Sequence, residues 1–427
     1  GENSLNMAIV KLAQEYTGSN NINLLHPGGQ FGSRLKGGED SASERYIHTH
    51  LGKLTRKIFR EEDDKILTYR DDDGTVVEPE YYLPIIPMIL VNGGKGIGTG
   101  FSMDVQQYNV IDIINNLKDR LKNKPESKYT KINSYYEGFK GEIIEIEAEQ
   151  KIIIKGCYRV LSHDTIHITE LPIGMWTVNY KTHLESLMDT SRDKRTKKEK
   201  QGVIKNFKDD CTDAAINFTV RFQPGVLSLL LAKKYDENIN MLEKTMKLYT
   251  SKRHTNMYLF NDKEKLKKFG TINEIVDKYY PVRKEGYVER KKYLLSHLEK
   301  KMNTLSNKAR FINEIMQGTI VLVGKKKQQV IELLDNKKYK VIDGNKDYKY
   351  LRSLPVDSME EENYKKLKNE ESECQQEYVK LKKLSVEEMW LNELVEFEKC
   401  YKKYQVERKD RVYGKLKTLK KTKKKKK

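Results

Sequence analysis

The chain has 427 residues, a formal charge of +19, and 37% hydrophobic against 33% charged residues. That length accommodates two or three domains with sizeable cores, but so low an apolar share beside so many charges excludes a single compact globule and suits an elongated, much-exposed molecule. No run of about 18 apolar residues occurs, which excludes a membrane-spanning helix, and the basic excess points to a polyanion, nucleic acid before an anionic membrane surface.

In chain order, Ser4 to Tyr16 places Leu5, Ile9, Leu12 and Tyr16 at helical spacing, and the opening at Gly1-Glu2 reads as abrupt, as of a cut polypeptide. The run Gly29 to Ile47 then presents one tyrosine, Tyr46, directly behind Arg45, on a segment rich in glycine hinges. A free phenol has a pKa of about 10 and is a poor nucleophile at neutral pH unless a base or a positive field promotes loss of its proton. Arg45 supplies such a field and pairs with phosphate oxygens. Gln30, Arg34, Lys36 and Ser41 on the same segment carry donors for a phosphate backbone, positioning a duplex without reading its sequence. Ile47 to Phe59 is a second amphipathic helix candidate, and Ile66 to Arg70, the turn Asp71 to Gly74, and Thr75 to Glu78 read as a β-hairpin. The three aspartates are turn residues in this reading, not metal ligands.

The glycine cluster Gly93 to Gly100 has neither the G-x-x-x-x-G-K-[ST] nor the G-x-G-x-x-G order, so it is not a nucleotide loop. Small residues there allow a close approach of backbone to DNA, with Ile97 projecting from among them as an apolar wedge. From Gln106 to Phe260 the texture is β-rich: Gly141 to Glu147, Lys151 to Val160, Thr165 to Thr169 and Phe218 to Phe222 read as strands, and Ser191 to Lys205 as a basic loop. His163 and His167, placed on one strand face, have no carboxylate or cysteine partners and read as surface residues, not metal ligands. Beyond, Leu298, Met302, Leu305, Ala309, Ile312 and Met316 form one heptad seam, and Tyr364, Leu367, Glu371, Cys374, Tyr378 and Leu381 a second, with a small globular cap, Gly318 to Val356, between them. Cys157, Cys211, Cys374 and Cys400 make no C-x-x-C pair, which argues against structural zinc and a disulfide framework. Lys423 to Lys427 is a solvated tail or a tether to nucleic acid.

The run Gly29 to Ile47, the stretch Glu78 to Met88 (EPEYYLPIIPM) and Asn92 to Gly100 (NGGKGIGTG) together resemble the type IIA DNA topoisomerases, in their eukaryotic and large-virus branch. The resemblance implies an α+β, multidomain fold: a winged-helix domain with the active-site tyrosine over 1–105, a β-rich tower or shoulder over 106–265, antiparallel coiled-coil arms with a small helical dimerisation gate (about 318–356) over 266–408, and a basic tail over 409–427. It implies that Tyr46 attacks DNA, that Arg45 assists, that Ile97 wedges between base pairs, and that Trp176, in Glu170 to Trp176, touches DNA. Glu44 departs from the family, which usually has proline there.

What the resemblance further implies is a 5′-phosphotyrosyl link and ATP-dependent strand passage in the complete enzyme, an isomerase working as a homodimer on double-stranded DNA. Its location would be the nucleus of a cell, or the host cell of a virus. Mg²⁺ and ATP are expected to be held by N-terminal metal-binding and ATPase domains outside this chain, since the family's Glu and D-x-D metal ligands are not found here in a suitable context. The chain alone is therefore expected to bind DNA and dimerise but not to cleave. A non-enzymatic, dimeric DNA-binding module is the alternative.

Overall fold

The computed structural model describes residues 1–189, 191–192, 199–200, 202–342, 344, 347–355 and 360–424, without the side chains of 191–192, 199–200 and 415–424. Most of the basic loop expected over 191–205, the end of the cap at Val356, and Lys425 to Lys427 lie outside the described residues or side chains. The chain is a mixed α/β molecule of two compact units, one formed by Gly1–Glu61, Pro84–Val282 and Glu393–Lys427, the other by Glu62–Leu83 and Arg283–Asn392.

In the first unit the opening helix, Glu2–Ala13, ends where Gln14 turns extended. The helix expected over Ile47 to Phe59 shrinks to Thr55–Ile58. Its first half is extended instead, because Gly28 pairs with His48 and Leu25 with Leu51, and the His26 N–H donates to the His50 carbonyl at 2.8 Å. Leu54 and Ile58 are buried all the same, so the apolar spacing reports one helical turn entering the core. Helix Val110–Leu121 is capped by the Asn109 side chain, which accepts from the Ile111 and Asp112 N–H groups, and it buries Val110, Ile113, Ile114 and Leu117.

Strands Ile204–Asp209, Phe218–Phe222, Thr165–Glu170 and Cys157–Ser162 form, in that spatial order, an antiparallel sheet. Helix Thr177–Met188 covers it through Tyr180 and Leu184, packed with Ile166, Ile168, Phe218 and Val220. The single strand expected over Lys151 to Val160 is two strands broken at Gly156. Lys151–Lys155 belongs to a different, three-stranded sheet with Glu142–Ile146 and Tyr249–Arg253. His167 is on its strand, with Nε2 2.7 Å from Asn217 Oδ1, but His163 lies in the turn before it, so the two do not share a strand face.

In the second unit the hairpin Tyr69–Asp72 and Thr75–Pro79 turns through Asp73 and Gly74, with φ of 49° and 83°. This two-residue turn is tighter than the four-residue one expected. The two seams meet: Leu298, Met302 and Leu305 pack on Leu367, Cys374, Tyr378 and Leu381. They run antiparallel, since Lys291 Nζ donates to the Leu384 carbonyl at 2.6 Å while Cys374 Sγ lies 3.7 Å from the Leu298 carbonyl. The polar intruder Glu371 pairs with Lys368 at 2.8 Å and shares a hydrogen bond with Ser306 of the facing arm. Between the arms Ile320, Val330, Leu334, Tyr339, Tyr348 and Leu351 close a small core with Phe311. Among the described residues no helix is long and apolar enough to cross a membrane.

Candidate functional site

Segment 28–47 has almost no regular structure and is held by hydrogen bonds at several points along its backbone. The Gly28 N–H donates to the His48 carbonyl at 3.1 Å and the His48 N–H to the Gly28 carbonyl at 3.0 Å, a reciprocal pair at the base of the loop. Further in, the Ala42 N–H donates to the Gln30 carbonyl, the Gly38 N–H to the Ser33 carbonyl, and the Ser33 N–H to the Asp40 carboxylate at 2.8 Å. Gln14 Nε2 reaches across to the Phe31 carbonyl at 3.0 Å. Tyr16 stands beside this contact, its phenol pushed up to about 12 by burial and then by the Asp40 charge. Carbonyls of Arg34 and Leu35 accept from the Thr177 and Val178 N–H groups, so the loop caps the start of helix Thr177–Met188.

On this mount Tyr46 ends a short 3₁₀ turn, Glu44–Tyr46, and its side chain is 71% exposed. The Arg45 guanidinium carbon lies 5.0 Å from the Tyr46 ring centroid, and Arg45 is itself exposed, so the charge stands beside the phenol and still faces solvent. Glu44 is exposed next to them. Gln30 and Lys36 are exposed and Ser41 is half-buried, all on the same loop.

Arg34 departs from expectation. It is 3% exposed, and its guanidinium pairs with Glu170 and donates to the Leu171 carbonyl at 3.0 Å. Glu170 also accepts from the Lys140 and Leu171 N–H groups. Arg34 therefore secures the loop to the β-rich region, with its guanidinium paired to Glu170 inside the protein and not facing solvent. Trp176 is half-buried, edge-on to Tyr16 at 5.8 Å, and a Cβ on Gly37 would come within 2.3 Å of its indole. With φ at +66°, Gly37 is required twice over, by backbone conformation and by this contact.

Ile97 is on a hairpin, Gly94–Gly98 paired with Phe101–Val105, and is 94% exposed. Phe101 and Met103 fold over the glycines of the opposite face, where Cβ atoms on Gly98 and Gly94 would approach them to 2.5 and 2.8 Å. The hairpin is tied to the tyrosine loop at its root. The Ile22 N–H donates to Asn92 Oδ1 at 2.9 Å, Asn92 Nδ2 returns to the Ile22 carbonyl at 2.8 Å, and the fully buried Asn21 donates to the carbonyls of Val91, Tyr108 and Tyr135. From the C-terminal helix, the buried Arg408 adds bonds to the carbonyls of Glu15, Asn20 and Asn21. Sequence reasoning passed over these residues. The available signal was the asparagine-rich run Asn20-Asn21-Ile22-Asn23.

Three histidines also gather here. The His26 and His50 rings meet at a tilt with centroids 4.7 Å apart, and burial, then the His50 and Arg411 charges, lowers the His26 pKa, with His48 adding to the same effect. Among the described residues no group of three or more His, Cys, Asp or Glu is arranged to hold a metal ion.

The family of DNA gyrase/topoisomerase IV A subunits matches residues 1–396. The chain is 37% identical over 458 residues to DNA topoisomerase 2 of Acanthamoeba polyphaga mimivirus, covering 94% of this chain and 36% of that protein. It is 42% identical over 340 residues to DNA topoisomerase 2 top-2 of Caenorhabditis elegans, covering 79% and 21%. A crystal structure of the Plasmodium falciparum topoisomerase II DNA-binding, cleavage and re-ligation domain superposes with a TM-score of 0.84 at 36% identity, over 96% of this chain and 57% of that one. The chain thus spans about a third or less of the curated relatives' length. A loop that projects a tyrosine and an arginine, and a match over most of its length, place this chain in the family of DNA gyrase/topoisomerase IV A subunits.

Proposed function

We propose that this chain is the DNA breakage and reunion part of a type II topoisomerase, and that Tyr46 is its nucleophile. The observation that carries the reading is a phenol open to solvent beside an exposed guanidinium, on a loop whose own hydrogen bonds leave both side chains free to meet a phosphate. In the reaction, Tyr46 Oη attacks a backbone phosphorus, a Tyr–O–P bond forms, the P–O3′ bond breaks, and the 3′ oxygen leaves with a proton while the phenol gives its own to solvent. Arg45 offsets charge that builds on the phosphate oxygens. Reversal re-forms the P–O3′ bond and releases Tyr46.

Ile97 enters a base step as a wedge. Partial unstacking costs a few kcal/mol and is offset by contacts with the bent duplex. Gln30, Lys36 and Ser41 hold phosphates, and Trp176 supports the loop from below while its exposed edge lies toward DNA. The finer architecture belongs to the same reading: a winged-helix domain over 1–105, a tower over 106–265, and arms and gate over 266–408. Two copies meet at the gate, where Met316, Val321 and the 91%-exposed Val323 offer apolar surface. Mg²⁺ and ATP are assigned to the rest of the polypeptide, and the site of action is the nucleus or the infected cell. Family membership leaves the purely binding module without support of its own.

The test combines this chain with the metal-binding part of the protein, Mg²⁺ and supercoiled plasmid, traps with detergent, digests the DNA and searches Tyr46 for a nucleotide. Labelled Tyr46, with Tyr46→Phe losing the adduct while binding DNA nearly as before, supports the reading. Unlabelled protein that still binds DNA supports the binding module.

A further inference from the structure

A side chain that unstacks base pairs must be held stiffly, and the hairpin carrying Ile97 cannot supply that stiffness. Three of the five residues in Gly94–Gly98 are glycine, which adds backbone entropy and no packing, and an isolated two-stranded hairpin is marginal in water. Register places Ser102 directly opposite Ile97 and Asp104 opposite Lys95, so Ser102 shares the face from which Ile97 projects. Asn256, just before strand Met257–Phe260, grips that position twice. Its Nδ2 donates to Ser102 Oγ at 2.8 Å, and its carbonyl accepts the Asp104 N–H at 2.9 Å. Next to it Met257 is buried, and Phe260 meets Phe101 edge-on at 5.8 Å.

We propose that Asn256 is a positioning residue for DNA bending: by holding Ser102 and Asp104 it fixes the angle at which Ile97 meets the base step. The proposal rests on the wedge reading of Ile97 and adds to it a residue more than 150 positions away in sequence. Asn256 needs no contact with DNA in this role. Its side chain sets the population of hairpin orientations able to insert, and the net worth of one neutral hydrogen bond corresponds to about a fivefold change in that population.

The experiment measures end-to-end fluorescence transfer on a short labelled duplex bound by the intact protein, with affinity and thermal midpoint followed in parallel. Asn256→Ala and Ser102→Ala are each expected to lower the bent fraction by about fivefold, with the double variant no worse than either single one because both remove the same bond. Affinity and midpoint should barely move, since backbone phosphate contacts dominate binding. Ile97→Ala tests the underlying reading separately. If it leaves bending intact, the wedge itself is wrong. If it abolishes bending while Ser102→Ala and Asn256→Ala bend DNA like the parent protein, the wedge stands and Asn256 has no positioning role. Should Asn256→Ala fail to fold, Ser102→Ala decides alone, and additive losses in the double variant would likewise overturn the shared-bond account.

Discussion

The tyrosine loop and the glycine hairpin carry the exposed Tyr46 and Ile97, which the proposed function turns toward DNA, but they are mounted in different ways. The loop, with no ladder of its own, is held by Gln14, Trp176 and Glu170 from elsewhere in the chain and by its own Asp40 and Arg34. The hairpin has a regular antiparallel ladder and a light buttress at Asn256. A nucleophile must come within bonding distance of one phosphorus, where small misplacements are costly in rate. A wedge need only keep its angle. The difference predicts that damage to the loop's supports costs stability and cleavage together, whereas damage to the hairpin's support costs bending first.

The largest effect should come from Glu170→Ala, which leaves the Arg34 guanidinium buried without its counter-charge and frees the Lys140 and Leu171 N–H groups. Breaking a buried pair in this way costs about 3–5 kcal/mol, so urea unfolding should show a large fall in midpoint, and the Tyr46 adduct should be lost with it. A midpoint within error of the parent would mean that the loop is held by its other contacts. Next is Gly37→Ala, whose Cβ would lie 2.3 Å from the Trp176 indole on a backbone with φ of +66°. About 1–3 kcal/mol is expected, and Trp176→Ala in the same chain should recover the steric part and leave the conformational part.

A smaller effect separates the β-rich region by pH. Burial, first of all, lowers the pKa of His254 and His183 below the ordinary 6.5, with Tyr108 OH 3.0 Å from one ring and the Thr245 carbonyl 3.0 Å from the other. Each group binds a proton more readily unfolded than folded, so stability is whole above the unfolded pKa and declines as pH falls from about 7 through the lowered folded values. Thermal midpoints should drop over that range, and His254→Asn with His183→Gln should flatten the decline. An unchanged slope would place the acid sensitivity elsewhere, with His26 beside the tyrosine loop the next candidate.

What the sequence disclosed about this site follows the same division. Ile97 between glycines and the Asp-Gly turn are local patterns that appear on hairpins, and Leu298, Met302 and Leu305 of the first seam pack on the second, while Met316 at its end is exposed. Arg34 misleads because a cation beside a candidate nucleophile suggests phosphate, and nothing near it in sequence announces Glu170, 136 residues away. Asn21, Asn92 and Arg408 escape for the same reason, since their partners are backbone carbonyls and N–H groups that no residue type reveals. The false helix over Ile47 to Phe59 shows a long-range pairing, with Leu25 to Gly28, overriding an apolar spacing.

The smallest effect separates Lys36 from Arg34, two cations on one loop. Lys36 is exposed, while Arg34 is closed inside the protein. A phosphate contact releases condensed counterions, and each one steepens the fall of log K against log salt by about 0.9 for duplex DNA. Lys36→Ala should thus make the slope shallower by about 1 and weaken binding by a similar factor on every sequence tried, because phosphates carry no sequence information. Arg34→Lys should leave the slope untouched while lowering the unfolding midpoint, since an ammonium is more strongly hydrated than a guanidinium and is less suited to a buried pair with Glu170. If the two substitutions exchanged these signatures, the loop would have to open when DNA binds, exposing Arg34 and releasing Glu170. The tyrosine would then be mounted by the DNA as much as by the protein.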